Sequence, residues 1–516
     1  MKNRYIFLFI ISVVLLGGCK KSYLELDNPN NTTTASFWKT ADDLKAGVAT
    51  IYSAMVDDYN GHYGTVNWEM TESKTENFDE RFDVRTRYEI STFANKIDND
   101  VSQSLYFGAY VGIFRSNQCI QYGEKMDLPE TVKNPLIAEA KFLRGLNYWF
   151  LVSDFGAVPL ITKVPGSAAD YLVAKSSKDS IWQQVISDLQ YAEQNLPATW
   201  DATQKGRATK GAAAAYLGRA YLYKVHDDAG NASAISADYT AAQTELKSVV
   251  DNEATYGYGL QPNYAELFDG QHENGVEGVF EIEYAAIGGS SIWTSDPASK
   301  TRGDFIAQEI MPQNIGGWGE MTPTMVLLNK FLAEPDKDGN FDPRATASLA
   351  WDYPGCTYYQ RDFHTTWPGQ VLLKKGQNWW NKDEGNWISS LNEFGMRYAD
   401  VLLMLAETYT MKGDVASAAP LVQRVRTRAN LVDKTVAMTA YTADQMMVEI
   451  KHQRDLEFAR EGLHFYDLRR WGDIQSVITA AKKIGYLNWA AKFEYYPIPL
   501  AELQTNTKMT QSTAWQ

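Results

Sequence analysis

Apolar residues recur every three or four positions along much of the chain, the spacing that places them on one face of an α-helix. In the segment 40–59, Thr40 can cap a helix, and two acidic residues follow in its first turn before the apolar positions begin. The same spacing continues through the first half of the sequence. It predicts helices over 40–59, 102–126, 131–153, 181–196, 209–224 and 236–251.

The segment 398–429 has the residue pattern of a tetratricopeptide-like helical hairpin, in which small residues let two helices approach and an aromatic side chain fills the groove. Lys412-Gly413-Asp414 supplies the turn between the two helices. The packing positions hold Leu405, Ala406, Tyr409 and Ala418. Ordinary helix pairing uses the same residue types and remains the alternative interpretation.

An earlier segment repeats the first-helix pattern of that hairpin with Leu217, Gly218 and Tyr221. A loop expected over 227–236 stretches this repeat past the usual length of about 34 residues. Together the two segments predict a mainly α fold that contains tetratricopeptide-like hairpins.

Helical periodicity mostly lapses between about 256 and 392, apart from a short stretch at 323–332. Gly, Pro, Asn and Asp become frequent there, and 279–284 reads as a strand between turn residues. We interpret this part as a loop-rich insertion with short strands. Seven of the fifteen tryptophans fall in it: Trp293, Trp318, Trp351, Trp367, Trp379, Trp380 and Trp387.

The N-terminus reads as an export signal. Two basic residues precede an uncharged apolar run at 5–16, which is too short to span a bilayer as a permanent helix. The run ends in Leu16-Gly17-Gly18-Cys19, similar to a bacterial lipobox, in which the cysteine is lipidated after cleavage. We therefore expect a signal peptide over 1–18, a polar tether over 19–34 that is lipidated at Cys19, and a single domain over 35–516.

Composition and missing motifs argue against several classes of protein. The chain of 516 residues has a formal charge of −14, which argues against a general nucleic-acid binder. Three cysteines are too few for a disulfide scaffold. Common metalloprotease, serine hydrolase, phosphate-binding and dinucleotide-binding motifs are missing from the sequence. A glycosidase needs only two carboxylates facing a cleft, so it remains the enzymatic alternative.

A calcium loop is suggested, but not favoured, by alternating oxygen-bearing residues. These are Asp336, Asp338, Asn340 and Asp342. Phe341 stands where an EF-hand needs glycine, and Ala347 stands where it needs the bidentate glutamate. We interpret the stretch as a solvated acidic turn and expect no cofactor.

The tryptophans of the loop-rich insertion suit sugars, whose apolar C–H faces stack on flat rings while their hydroxyls bond to neighbouring polar groups. Loops bury so many indoles less easily than helices do, so some are expected at a surface site. The alternative is that most of them fill gaps between loops and helices. The candidate ligand-binding residues are Trp293, Trp318, Trp351, Trp379 and Trp380, with Trp68 as an additional wall.

Four stretches together resemble the SusD/RagB family of outer-membrane lipoproteins, and the lipobox at Cys19 is the first. The others are AEAKFLRG at 138–145 continuing through Tyr148 to FGAVPL at 155–160, RYADVLLMLAE at 397–407, and RDLEFAREG at 454–462 with DLRRWG at 467–472. YYPIP at 495–499 and Trp515 also fit, whereas the tail at 505–516 departs from the family's usual ending.

The resemblance implies a SusD-like helical fold with a binding surface of inserted loops. It also implies a lipid-anchored protein on the outer surface of a Gram-negative outer membrane, which covers a SusC-like TonB-dependent transporter and captures oligosaccharide for import without catalysis. The membrane contact would be the lipid anchor alone. Most charged residues of these family motifs are interpreted as architectural, because they fall in predicted helices or at their ends: Arg144, Arg397, Asp400, Glu407, Arg460, Glu461 and Asp467.

Three alternatives stay open beside glycan capture. A protein of the RagB type would capture peptides through the same arrangement, and its site would favour backbone-pairing donors and side-chain pockets over flat rings. A glycoside hydrolase is less favoured. A pure scaffold would bind no small ligand, and it would be supported if the tryptophans proved wholly buried.

Overall fold

The computed structural model describes residues 37–56, 61–64, 70–288, 301–384 and 388–516. Helices dominate these residues, and the strands are short. In chain order the helices are α1 (Ala41–Met55), α2 (Arg85–Ser91), α3 (Asp100–Gly123), α4 (Glu130–Phe155), α5 (Lys178–Asn195), α6 (Lys210–Asp227), α7 (Ala232–Asp251), α8 (Glu253–Tyr256), α9 (Ile306–Ile310), α10 (Met325–Leu332), α11 (Pro343–Ser348), α12 (Phe363–Thr366), α13 (Tyr398–Met411), α14 (Val415–Arg428), α15 (Thr435–Met438), α16 (Ala443–Glu457), α17 (His464–Trp471), α18 (Ile474–Ala480) and α19 (Leu500–Thr505).

The long helices form a continuous array in which each packs on its neighbour. Helix α1 lies against α3, and the packing continues from α3 through α4, α5, α6 and α7 to α13, which contacts both α14 and α16. Polar caps begin several of these helices; Thr40 and Asp43 form a capping box at α1, and the Thr209 side chain caps α6. The predicted helices are confirmed, with ends that differ by a few residues.

The hairpin predicted over 398–429 is confirmed as α13 and α14. The two helices are separated by Lys412, Gly413 and Asp414, and Asp414 caps α14 by accepting the Ser417 N–H. Gly413 has φ +81°, a left-handed conformation that favours glycine. Ala406 and Ala418 are fully buried, as close helix packing requires.

The earlier hairpin is formed by α6 and α7, and its loop is shorter than expected. Helix α7 begins at Ala232, so the prediction of a loop over 227–236 was wrong. The Asn231 side chain caps α7 by accepting the Ala234 N–H and starts the helix within a polar stretch. At Gly218 an added Cβ would lie 2.6 Å from the Leu246 side chain, so a larger residue would have to displace Leu246 where α6 and α7 meet.

The short strands form antiparallel pairs, and most of them lie in the predicted insertion, among loops and short helices. The strands are β1 (Phe78–Glu80), β2 (Gly278–Ile282), β3 (Ala285–Gly288), β4 (Thr301–Arg302), β5 (Met321–Pro323), β6 (Leu349–Trp351), β7 (Thr357–Tyr358), β8 (Arg361–Asp362), β9 (Val371–Leu373) and β10 (Glu393–Arg397). The pairs are β1–β5, β2–β10, β3–β4, β6–β9 and β7–β8. Strand β10 leads directly into α13, and its pairing with β2 joins the insertion to the helical array.

A buried ionic network also connects the insertion to the helical array. Arg397 is fully buried and donates to Glu277, Glu457 and Glu461 at 2.5–2.9 Å. In a neighbouring part of the core, Asp400 accepts from both Arg219 and Arg454. These motif charges therefore hold the architecture together and lie away from solvent. No helix among the described residues is long and apolar enough to cross a membrane.

Candidate functional site

Two tryptophans of the insertion belong to its core. Trp351 is 6% exposed and lies in β6, with its ring centroid 4.5 Å from that of Tyr353. Trp367 is 1% exposed, and its indole N–H donates to Asn314 at 2.9 Å. Because packing occupies the ring of Trp351, we leave this residue out of the candidate sugar-binding surface.

Trp318 is partly buried at the end of a glycine turn. Its ring stacks on Phe305, with centroids 6.2 Å apart and planes at 23°. At Gly317 a Cβ would lie 1.9 Å from the Met311 carbonyl oxygen, so the turn before Trp318 requires glycine. The backbone N–H of Trp318 donates to Gln308, which fixes the residue at this position.

Trp379 and Trp380 come together as a half-buried pair. Their ring centroids are 6.0 Å apart in an edge-to-face arrangement, and the Lys374 ammonium lies 4.2 Å from the Trp379 centroid. The carboxylate of Glu384 holds the preceding turn by accepting from the backbone and side chain of Asn378 at 2.9 and 2.7 Å. Asn381 follows the pair and is exposed, so rings and hydrogen-bonding groups stand side by side here.

Trp68 and Trp293 lie outside the described residues, so their role stays a prediction. Tyr63 and Tyr284, which lie near them in the sequence, are in contact. The Tyr284 hydroxyl donates to the Tyr63 carbonyl, and the Tyr63 and Tyr216 hydroxyls lie 3.2 Å apart.

A cavity of about 260 Å³ opens between the loop after α5, the end of α8 and strand β2, and none of the tryptophans predicted to bind ligand lines it. Its aromatic lining includes Trp200, Tyr256 and Tyr258. Polar side chains that also line it are Thr199, Gln204, Lys205, Arg207, Thr209, Asn274 and Glu281. We call it the Trp200 cavity.

The Trp200 ring is held at its edge and over one face. Its indole N–H donates to the Ala208 carbonyl at 2.8 Å, and the Arg207 guanidinium lies 3.8 Å from the ring centroid. Arg207 is paired with the buried Glu139, which also accepts from the Tyr52 hydroxyl at 3.0 Å. A ring fixed in this way is pre-organised for stacking, because little side-chain freedom is left to lose on binding.

Glu281 gives the Trp200 cavity a titratable group near neutral pH. Burial raises the pKa of this carboxyl to about 7, although hydrogen bonds from Asn274 and Asn392 oppose the rise. The Asn274 N–H donates at 2.7 Å, and the Asn392 amide donates at 3.2 Å to Glu281 and at 3.0 Å to Glu283. The side chain of Glu283 also lies against Gly206, one of the lining residues, so it borders the cavity.

The sequence contained a signal for the Trp200 cavity. The stretch Trp200-Asp201-Ala202-Thr203-Gln204-Lys205-Gly206-Arg207 mixes an indole with amides and charges, much as 376–381 does. It lies outside the tryptophan-rich insertion and therefore was not singled out.

The suggested calcium loop is a turn held by its own hydrogen bonds. Asp336 accepts the N–H groups of Asp338 and Asn340 at 3.0 and 2.8 Å, and it also accepts from the Asn430 amide at 2.9 Å. Asp342 is buried against Arg344 at 2.7 Å. Asp336 is therefore more buried than a solvated turn implies, and the expected absence of calcium stays a prediction.

Within the described ranges, Glu76, Asp455 and His464 are the one grouping of carboxylates and imidazole close enough to share a metal ion. Lys330 contacts both carboxylates and supplies positive charge where an ion would lie. Burial acts to lower the pKa of His464, but the charges of Asp455 and Glu76 outweigh it and raise the pKa to about 9. His464 also lies 3.0 Å from Glu76 and 3.5 Å from Asp455, so the cluster is held together by contacts between opposite charges.

Comparison with known proteins identifies the family. Residues 22–222 match a family described as "Starch-binding associating with outer membrane", and residues 276–515 match the SusD family. A crystal structure of a SusD superfamily protein from Bacteroides vulgatus superposes with a TM-score of 0.83 at 33% sequence identity, covering 93% of this chain and all of the other. The chain belongs to the SusD family.

Other SusD-family proteins are similar over nearly the whole chain. SusD-like protein P2 of Formosa agariphila is 27% identical over 522 residues, which cover 98% of each chain. A structure described as a laminarin-binding SusD-like protein superposes with a TM-score of 0.74 at 24% identity, covering 92% of this chain and 99% of the other. The mainly helical fold and the family resemblance predicted from the sequence are both confirmed.

Proposed function

We propose that this SusD-family protein is a non-catalytic glycan-binding lipoprotein of the outer membrane that captures oligosaccharide for import. The Trp200 cavity carries the proposal, because it sets fixed aromatic rings beside amide, hydroxyl and charged groups. Its volume of about 260 Å³ lies just below the range of about 300–1,000 Å³ that is usual for drug-sized ligands. It therefore suits one ring of a longer chain.

The surface expected to hold the rest of the glycan comprises Trp318 and the pair Trp379–Trp380, with Trp68 and Trp293 as further candidates. Each stacking contact contributes about 1 kcal/mol, so the affinity should be micromolar or weaker. The family match described as starch-binding and the laminarin-binding structural neighbour support a glucan or a related polysaccharide as the ligand class.

A lipid at Cys19 would anchor the protein, and a SusC-like TonB-dependent transporter would receive the glycan. Both follow from the family resemblance. Extraction with mild detergent and affinity purification through this chain tests the partnership. Co-purification of a TonB-dependent barrel is expected, and recovery of the chain alone would count against the transporter.

Isothermal titration of the mature protein against a polysaccharide panel tests the binding site. We expect Trp200→Ala and the double variant Trp379→Ala/Trp380→Ala each to weaken binding of the responding glycan roughly fivefold to tenfold. Trp489→Ala is the matched control, since this ring packs on Phe93 with centroids 5.0 Å apart and does not line the Trp200 cavity. If the wild-type affinity survives both test variants, the proposed surface is wrong.

The peptide and hydrolase alternatives are separated by the same panel. If the protein binds a peptide pool but none of the glycans, it is a peptide-capturing protein of the RagB type. Glu281 lines the Trp200 cavity and Glu283 borders it, and both accept from the Asn392 amide, so we choose these carboxylates to test for hydrolysis. We expect no new reducing ends after incubation with any glycan. Hydrolysis that is abolished by Glu281→Gln would contradict the non-catalytic role.

A further inference from the structure

The Trp200 cavity contains a carboxylate oxygen that the protein leaves unused. Glu281 is 5% exposed, lies in β2 and lines the cavity. Its Oε2 accepts the Asn274 N–H at 2.7 Å and the Asn392 amide at 3.2 Å, whereas its Oε1 accepts no hydrogen bond from the described residues. Oε1 lies beside Gly278, where an added Cβ would be 2.1 Å from it, and Gly278 also lines the cavity. A ligand that donates to Oε1 therefore supplies a hydrogen bond that the protein omits.

A second carboxylate lies beside the first. Glu283 is two positions further along the chain, so the alternation of an extended chain places it on the same side as Glu281. The same two asparagines hold it, since its oxygens accept from the Asn392 amide at 3.0 Å and from the Asn274 amide at 3.3 Å. At Gly206, which lines the cavity, an added Cβ would lie 2.3 Å from Glu283 Cγ. Two acidic groups thus share one pair of neutral donors.

No positive charge among the described residues balances this pair. Neither Glu281 nor Glu283 forms an ion pair there, and the Arg207 guanidinium, which also lines the cavity, is paired with the buried Glu139. Lys205 lines the cavity too, but it is exposed and contacts neither carboxylate. Burial and the charge of Glu283 raise the pKa of Glu281 to about 7, and a cation bound beside it would favour its ionised form.

Aromatic rings supply the rest of the wall. The ring centroids of Tyr256 and Tyr258 are 5.7 Å apart, and the Tyr258 and Thr209 hydroxyls lie 3.1 Å from each other. The Trp200 ring lines the same cavity. Aromatic faces attract cations and pack against apolar C–H groups. A ligand that combines a compact ring with a positive charge would use both features of this cavity.

We propose that the Trp200 cavity binds an amino sugar whose protonated amine donates to Glu281 Oε1 and whose ring packs on the aromatic wall. The assignment rests on the proposed glycan-binding function and names the ligand class of this cavity. A hydrogen bond from a charged donor to a carboxylate is about twice as strong as one between neutral groups, so the amine is favoured over the hydroxyl of a neutral sugar. A sugar acid would be repelled by both carboxylates. A calcium ion needs about six to eight oxygen ligands, far more than the one free oxygen of Glu281.

Titration of the mature protein with matched monosaccharides, followed by NMR, tests the role of the charge. D-Glucosamine, D-glucose and N-acetyl-D-glucosamine differ only at C2, which carries an amine, a hydroxyl or an acetamide. The three corresponding galactose derivatives repeat the comparison with the other configuration at C4. In at least one series we expect the amino sugar to bind roughly tenfold more tightly than both neutral sugars. Equal binding within both series would overturn the assignment.

Two variants show whether Glu281 is responsible for the preference. Glu281→Gln keeps the size of the side chain and an oxygen for the Asn274 N–H but removes the negative charge, so it should reduce the preference for the amine to less than twofold. Glu502→Gln is the matched control, because Glu502 does not line the Trp200 cavity, and it should keep the preference. Circular dichroism checks that both variants are folded. An unchanged preference in folded Glu281→Gln would overturn the assignment.

The remaining comparisons separate the ligand classes. Lysine amide carries an ammonium group on a flexible chain, so we expect it to bind less tightly than the amino sugar, which loses less conformational freedom. Equal or tighter binding of lysine amide would overturn the assignment to a sugar. Retention by a neutral polysaccharide that requires Trp200, without any preference for the amine, would overturn this assignment and leave the proposed function standing. Failure to bind both polysaccharides and amino sugars would contradict both.

Discussion

Replacing Arg397 by methionine tests whether the buried ionic network holds the insertion on the helical array. Arg397 is fully buried and donates to three carboxylates and to the Glu457 carbonyl. Removing one partner of a buried ion pair typically costs about 3–5 kcal/mol, because a buried charge is left without compensation.

The neighbouring cations reduce this cost. Without Arg397, Glu277 and Glu457 still contact Arg428, and Glu461 still contacts Lys375. We therefore expect the lower end of the range, about 3 kcal/mol at pH 7. Urea unfolding followed by circular dichroism measures it. The matched control is Arg424→Met, which removes an ion pair with Glu253 whose side chains are 37% and 38% exposed and should cost under about 1 kcal/mol.

The pH dependence of this loss has a definite sign. In the wild-type protein burial acts to raise the pKa of Glu461, but Arg397 and Lys375 outweigh burial, so that the pKa is lowered. The stabilisation from this carboxylate is present above its unfolded pKa and is lost as the pH falls. Without Arg397 the folded pKa rises and the acid can protonate, so the deficit of Arg397→Met should shrink from pH 7 to pH 5. A deficit below 1 kcal/mol at pH 7, or a larger one at pH 5, would refute this reasoning.

Three further predictions follow from the packing and the titratable groups. Gly218→Ala should destabilise the protein by about 1–3 kcal/mol, since its Cβ would meet Leu246 at 2.6 Å; in a Leu246→Ala background this cost should vanish, and a persistent cost would contradict the steric explanation. Glu281 has a pKa raised to about 7 by burial, so the wild-type protein should lose about 2 kcal/mol relative to Glu281→Gln between pH 5 and pH 8; a constant difference in urea unfolding would show that Glu281 titrates normally. Cys119 and Cys356 are buried, and burial raises the pKa of Cys119 to about 12; neither should react with a thiol reagent at pH 8 until the protein is unfolded, so rapid labelling of the native protein would contradict their burial.

The helical array could be predicted from the sequence because the residues that determine each helix lie close together in the chain. The apolar spacing, the caps and the Lys412-Gly413-Asp414 turn each lie within one element or one connection. The misplaced loop at 227–236 shows the limit of such reasoning, since Asn231 begins α7 inside a polar stretch that has little apolar spacing.

The candidate site was harder to predict because it depends on contacts between distant segments. The segment that contains Trp351 looks like a loop in sequence, but it forms β6, and pairing with β9 buries all three residues of the strand. Trp200 gains its role only when the loop after α5 meets β2. The resemblance to the SusD family predicted the fold, whereas the mixed aromatic and polar stretch at 200–207 lies outside the tryptophan-rich insertion and was not among the predicted site residues.

The most direct test of glycan capture is an affinity screen of the wild-type mature protein against immobilised polysaccharides, with a peptide pool as the comparison. We predict retention by at least one polysaccharide, micromolar or weaker affinity, and no change in the chain length of the retained glycan. Retention by peptides alone, or shortening of the glycan during the screen, would contradict the proposed function.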